Sequence, residues 1–289
     1  MAQSARNTVR ARRIVPGAIA RGAATGAADG PRRSGKLRHQ QRHDSPFLPQ
    51  TGTEAGMNSP QAEMNTRDQE KQAAALAASE LVESGQIVGL GSGSTATYLV
   101  RFLAERVRAG LKILGIPTSQ ATKDLAGQLG IPLTTLEAHP EIDIDIDGAD
   151  EIDPNLNLIK GGGGAFLREK VVASVSRRFV VIGDSAKQVA RLGNFPLPVE
   201  VIPFAETLIK PRIERLGASV SLRRRSGGSL YVTDEGHHIL DCTFGEIADP
   251  ATLAAELRKL PGVVEHGLFI GMAEMALIGR NDRVIQLHK

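Results

Sequence analysis

Residues 86–103 read QIVGLGSGSTATYLVRFL, and this stretch decides the fold. The apolar run over 86–90 reads as a buried strand. A glycine and serine turn follows, Gly89-Leu-Gly-Ser-Gly-Ser-Thr95, and then a helix pattern with Ala96, Leu99, Val100, Leu103 and Val107 on one face. The same grammar recurs downstream: a strand over 112–116, a helix over 119–129, a strand over 142–146, a glycine turn, a helix over 165–176 and a strand over 179–182. Strands alternating with helices predict the α/β class, a Rossmann-like parallel sheet flanked by helices. Ligands then bind outside the carboxyl ends of the strands.

From Pro196 the grammar changes. Short strands are expected over 199–202, 219–222, 230–233 and 239–241, with helices over 205–216 and 251–260 and a turn at Asp234-Glu-Gly236. This predicts a second, smaller α+β domain, after which strand-like runs in 268–287 can rejoin the first sheet. Upstream, order is expected to begin at Thr66, where Thr66-x-x-Gln69 fits a capping box. The helix then carries Ala73, Leu76, Ala77, Leu81 and Val82, and Gly85 ends it. The expected division is a disordered extension over 1–63, a catalytic domain over 64–196 plus 269–289, and a small domain over 197–268.

The net charge of +3 is unevenly placed. Residues 1–56 hold nine Arg and one Lys against Asp29, Asp44 and Glu54, a balance of +7, which leaves −4 on the rest. The basic pI therefore gives no reason to expect nucleic acid as a partner of the folded part. Residues 1–63 show no apolar period and too little apolar surface to offset their ordering entropy. Five Arg without an acid in 1–28 fit an organelle transit peptide. An initiation codon placed too early, with Met57 or Met64 as the true start, is the preferred reading. No apolar run is long enough to span a bilayer, so no membrane partner is expected. A single cysteine, Cys242, permits no intrachain disulfide and points to a reducing, cytoplasmic setting.

Three strand-end loops carry candidate chemistry. In the first, backbone N–H groups of Ser92, Gly93, Ser94 and Thr95 at a helix start suit a phosphate, although a tight turn capped by Ser94 or Thr95 explains them equally well. It is neither a dinucleotide fingerprint, since Ser94 stands where the third glycine belongs, nor a P-loop. The second loop begins as Asp143-Ile-Asp-Ile-Asp-Ile-Asp-Gly. A calcium loop is excluded because Pro154 occupies the position of the bidentate Glu. The alternation marks a strand instead, beyond which Asp147, Asp150, Glu151 and Asp153 are expected to gather. Lys160-Gly-Gly-Gly-Gly164 follows, four glycines whose lost backbone freedom is justified by close approach to a ligand. The next helix carries Arg168-Glu169-Lys170, either a solvated face or a site. Lys187, in Gly183-Asp-Ser-Ala-Lys187, supplies the third loop. Together the loops suit a small phosphorylated polyol. His237, His238 and Cys242 lack a second ligand cluster and are read as structural.

This ordered set resembles the type A ribose-5-phosphate isomerase family: Gly89–Thr95, Asp147-Gly-Ala-Asp-Glu151, Lys160-Gly-Gly-Gly with Arg168-Glu-Lys170, Ser185-Ala-Lys187, Phe195-Pro-Leu-Pro-Val-Glu-Val-Ile-Pro203 and Leu260-Pro-Gly-Val-Val264. The resemblance covers roughly residue 66 onward. It implies a homodimer that interconverts D-ribose 5-phosphate and D-ribulose 5-phosphate without metal or cofactor. It also implies Glu169 as base, with Asp147, Asp150 and Lys160 at the sugar. Gly148, Ala149, Gly161, Gly162 and Gly163 line the site on this reading. Ser92 to Thr95, Lys187 and Lys71 are assigned to the substrate's phosphate end. The turn Asp234-Glu-Gly-His-His238 and the fourth glycine after Lys160 depart from the family's usual pattern. An amino-sugar-phosphate deaminase, a sugar-phosphate-sensing regulator and a coenzyme A transferase are the alternatives. The stretch from Lys160 to Glu169 argues against the first, and no DNA-binding helix pair is read in 1–63 for the second. The third would use its glutamate as a nucleophile.

Overall fold

The computed structural model describes residues 60–289, and side chains from Thr66. The expectations for 1–59, disorder, transit peptide and an alternative start at Met57, lie outside the described residues. Helix α1, Pro60–Ser79, begins six residues before Thr66. Thr66 is therefore inside the helix rather than at its start, and the disorder expected over 60–63 gives way to helix. Proline's fixed φ suits a first helical turn, a signal that the missing apolar period concealed.

The main sheet holds six strands in the order β13-β12-β6-β3-β1-β2. They are β1 Ile87–Leu90, β2 Leu114–Pro117, β3 Ile144–Gly148, β6 Phe179–Asp184, β12 Met275–Arg280 and β13 Arg283–His288. All neighbours pair in parallel except β12 with β13, so the sheet is mixed at one edge. The strand-like runs near the C-terminus do rejoin it. Helices α2, Ser94–Arg108, α3, Gln120–Gln128, and α4, Phe166–Ser174, supply the crossovers. Ser119 caps α3 by accepting from Thr122 N. One core lies where Ala74, Ala75 and Ala78 of α1 meet Leu99, Val100 and Leu103 of α2 and the apolar face of the sheet. Helix α1 crosses so close to β12 that a Cβ on Gly279 would lie 1.9 Å from the Glu70 carbonyl oxygen.

One sheet escaped the sequence reading. A small three-stranded sheet, β11-β5-β4, is made from β4 Glu151–Ile152, β5 Leu158–Ile159 and β11 Leu268–Phe269. Two-residue strands are too short to show a period. The small unit has a four-stranded antiparallel sheet, β10-β7-β9-β8, from β7 Leu197–Val201, β8 Ser219–Leu222, β9 His238–Thr243 and β10 Val263–His266. Helices α5, Glu206–Glu214, and α6, Pro250–Arg258, pack on it through Ile209, Ile213 and Leu257. The strand expected over 230–233 is absent: only an isolated bridge joins Leu230 to Arg224, and Tyr231 N donates to Arg223 O. The Tyr231 hydroxyl donates to Gly163 O and the Thr233 hydroxyl to Glu200 Oε1, both at 2.9 Å.

Candidate active site

The carboxyl ends of β1, β3 and β6 bring the three expected loops to one edge. Ser92, Gly93, Ser94, Thr95, Gly148, Ala149, Asp150, Lys160, Gly161, Gly162, Gly163, Glu169 and Lys187 line one cavity. Two roomier hollows exist elsewhere, one beside Asp153 and Arg191 and one behind α4 at Leu167 and Val171, and neither gathers such a set.

At the first loop the cap of α2 is Gly93, with φ of 93°, and no side chain caps the helix. The Ser94 and Thr95 cap reading is thereby removed. The helix start offers N–H groups and positive dipole to an anion. Ser92, expected to offer its N–H to an anion, instead donates it to Asp147 Oδ1 at 2.9 Å. Its hydroxyl is engaged with Thr118, Ser119 and Thr122 at 2.8, 2.7 and 3.3 Å. A Cβ on Gly91 would lie 2.2 Å from Asp147 Oδ1, so only glycine lets β1 and β3 approach this closely.

Asp147 is fully buried at the end of β3, one layer below the cavity lining. Lys160 Nζ sits between two carboxylates, 3.1 Å from Asp147 Oδ2 and 3.0 Å from Glu169 Oε2, and donates to Gly148 O. Burial alone would lower the Lys160 pKa, yet Asp147 and Glu169 carry it above its ordinary value. Burial pushes Glu169 up to about 8, helped by repulsion from Asp147 and opposed by Lys160. Burial also raises Asp147, against the pull of Lys160 and the N–H groups of Ser92 and Gly148. A carboxylate base poised near neutrality is the chemical content of this cluster.

The supporting frame explains why these side chains hold still. Lys160 follows β5, and its N–H donates to Gly267 O at 2.9 Å just before β11. The Phe269 ring lies 5.5 Å from Lys160 Nζ and 4.8 Å from Lys170 Nζ. The triplet at the start of α4 divides its labour. Arg168 turns outward to Asp234 and Glu235, Glu169 enters the site, and Lys170 is buried against Glu265 at 2.7 Å and His266 O. Burial brings Lys170 down to about 8. Asp150 accepts from Gly162 N at 2.7 Å, tying the acidic turn to the glycine loop.

The acids do not gather as expected beyond β3. Glu151 accepts from Gly193 N and Phe195 N, both at 2.6 Å, and Asp153 accepts from Asn155 N and Asn157 N at 2.8 Å. Both stabilise loops, whereas Asp147 meets Lys160 and Asp150 lines the cavity. Asp145, two residues before Asp147 and on the same face of β3, went unnoticed in the sequence. It is fully buried, and neither oxygen finds a hydrogen-bond partner. Burial and repulsion from Asp147 hold its carboxyl well above the usual carboxylate range. Its carboxyl lies over Gly89, where a Cβ would come within 2.4 Å.

Lys187 ends the turn Ser185–Lys187 and makes no ion pair among the described residues. The turn is pinned by Glu70 of α1, which accepts from Ser185 N at 3.0 Å, Ser185 Oγ at 2.7 Å and Asn281 N at 2.8 Å. Burial opposes the Glu70 charge, but these donors hold its pKa below the ordinary value. Lys71, the next residue, is not among those lining the cavity. His237 and His238 are occupied with Glu200 and Glu206 at 2.9 and 2.6 Å, and Cys242 is buried in β9.

A parallel sheet with an uncapped helix start, a free lysine and a buried carboxylate–lysine cluster at its carboxyl edge defines an α/β protein built for a small anionic ligand. The family model described as ribose 5-phosphate isomerase A (phosphoriboisomerase A) matches residues 114–283. A ribose-5-phosphate isomerase A of Synechococcus sp. (strain JA-3-3Ab) is 54% identical over 229 residues, covering 78% of this chain and 100% of that one. A solved ribose 5-phosphate isomerase from Plasmodium falciparum superposes with a TM-score of 0.74 at 40% identity, covering 77% of this chain and 99% of that one. A D-ribose-5-phosphate isomerase solved in complex with phospho-erythronic acid gives 0.75 at 37% identity, with coverage of 77% and 99%. The chain belongs to the ribose 5-phosphate isomerase A family.

Proposed function

We propose that this protein interconverts D-ribose 5-phosphate and D-ribulose 5-phosphate through an enediol(ate), with Glu169 as the base. The observation that carries this reading is a buried Glu169, raised to about 8 and 3.0 Å from Lys160, in a cavity shared with an uncapped helix start. The phosphate is held by the N–H groups and hydroxyls of Ser94 and Thr95 and by Lys187. Contacts remote from the reacting carbons fix the register of the chain. Asp147 assists ring opening by moving a proton between O1 and the ring oxygen. Glu169 then removes the proton from C2, the C1 carbonyl oxygen gains negative charge, and Lys160 with the glycine-loop N–H groups stabilises that charge. Return of the proton from Glu169 to C1 and transfer of the O2 proton to O1 give the ketose. Because Lys160 supplies the positive charge, no metal or cofactor enters the scheme.

The division into a catalytic domain over 64–196 plus 269–289 and a small domain over 197–268 belongs to the same reading. So do a cytoplasmic setting and a homodimer. Phe204, 90% exposed, and Leu208, 59% exposed, support a contact between subunits. No described helix is long and apolar enough to cross a membrane. The test is turnover of D-ribose 5-phosphate by purified protein, followed as ketose formation. Turnover without additive and undiminished by chelator is expected; no turnover, or activity restored only by a divalent cation, contradicts the reading.

A further inference from the structure

We propose that Arg223 and Tyr231 of the small domain are positioning residues that lock the peptide planes of the Gly161–Gly164 loop in the orientation an anionic substrate requires. The inference rests on the reading above that this loop meets a phosphorylated sugar. Neither residue lines the cavity, and neither is given a step in the reaction.

Arg223 follows β8, and its guanidinium is forked onto Asp241 of β9, with Nε to Oδ2 at 3.0 Å and a second bond to Oδ1. That fork aims the remaining nitrogen, which donates to Gly161 O at 2.7 Å and Gly162 O at 3.3 Å. The Tyr231 hydroxyl donates to the next carbonyl, Gly163 O, at 2.9 Å. Three consecutive carbonyl oxygens are thus held from outside the loop. Within it, Gly162 N is committed to Asp150 and Gly164 N closes back onto Gly161 O at 3.0 Å. The Tyr231 ring is itself fixed between Arg223 and Arg225, at 5.8 and 5.2 Å, and fills the space a Cβ on Gly164 would need.

The reason for such a lock is the glycine run. Without Cβ atoms, successive peptides flip at little steric cost. A flip exchanges N–H for C=O and turns a negative dipole toward a developing enediolate. Holding the carbonyls on Arg223 and Tyr231 removes the flipped states and preorganises the loop for charge that develops during reaction. The guanidinium fork matters because an ammonium could not hold Asp241 and two carbonyls in one fixed plane.

The test compares wild type, Arg223→Met and Tyr231→Phe. The readouts are kcat and KM for D-ribose 5-phosphate and the inhibition constants of inorganic phosphate and phospho-erythronic acid. For Arg223→Met, kcat should fall about 10- to 100-fold, as loss of charge-assisted hydrogen bonds entails. For Tyr231→Phe, which keeps the ring, the fall should be about 3- to 10-fold. Inhibition by inorganic phosphate should stay within about twofold, since Ser94, Thr95 and Lys187 are untouched, while phospho-erythronic acid weakens in step with kcat. If Arg223→Met fails to fold, Tyr231→Phe decides. A folded variant with wild-type kcat, or equal weakening of both inhibitors, overturns the lock. A wild type inactive on D-ribose 5-phosphate instead sinks the proposed function.

Discussion

Replacing Lys160 with Met keeps the stem of the side chain and removes the cation between Asp147 and Glu169. Breaking a buried pair by removing one partner costs about 3–5 kcal/mol, because the stranded charge is neither solvated nor matched. Here two carboxylates are stranded, at 3.1 and 3.0 Å from the lost nitrogen. Their escape is to bind protons, so the folded variant holds protons that the unfolded chain releases above about pH 4. Stability is lost as pH rises wherever the folded state binds more protons. The deficit relative to wild type should therefore be small at pH 5 and approach about 3–5 kcal/mol at pH 8. Urea unfolding at the two pH values measures it, and thermal unfolding should show a drop on the order of 10 °C at pH 8. A deficit below about 1 kcal/mol at pH 8, or one that does not change with pH, would refute the reasoning that Lys160 neutralises this cluster.

Because Glu169 must be ionised to act and burial pushes it up to about 8, kcat/KM should climb nearly tenfold per unit between pH 6 and 7 and level off above 8; a plateau reaching down to pH 6 contradicts this. Asp145→Asn should raise Tm at pH 8, with the gain vanishing toward pH 4, because a carboxyl whose folded pKa is raised costs stability as pH climbs above its unfolded value. A lower Tm than wild type at pH 8 would mean that Asp145 is an ionised, stabilising group. Lys187→Ala should raise KM for phosphorylated sugars about 10- to 100-fold with kcat nearly constant, the mark of an interaction equal in ground and transition states. Unchanged KM removes Lys187 from the site.

The alternation of strand and helix was legible because apolar periods over 86–107 and 112–182 are long and regular, and the site followed from where the strands end. The loops at Ser92–Thr95, Lys160–Gly163 and Lys187 do line one cavity. What escaped was set by contacts rather than periods. Strands β4 and β5 have two residues each, too few to alternate. Asp145 reads like its neighbours Asp143 and Asp147, and only their partners separate them: Asp143 accepts from Ile87 N at 2.8 Å and Asp147 from Ser92 N at 2.9 Å, while neither Asp145 oxygen finds a hydrogen-bond partner. Arg223 stands in a run of three arginines, and only its fork onto Asp241 singles it out. The false strand over 230–233 is local pattern overridden by contacts, since the Tyr231 hydroxyl is drawn to Gly163 O and the Thr233 hydroxyl to Glu200.

Glu169→Gln tests the central claim most directly, measured as turnover of D-ribose 5-phosphate together with exchange of the C2 hydrogen in deuterated water. Glutamine keeps the size and hydrogen-bonding reach of the side chain but cannot accept a proton from carbon. The variant should fold and bind the sugar phosphate within a few-fold of wild type. Removal of a general base costs about 10²–10⁴-fold, so kcat should fall by at least the lower figure and exchange should fall in parallel. A folded Glu169→Gln protein with near-normal turnover and exchange would contradict the account.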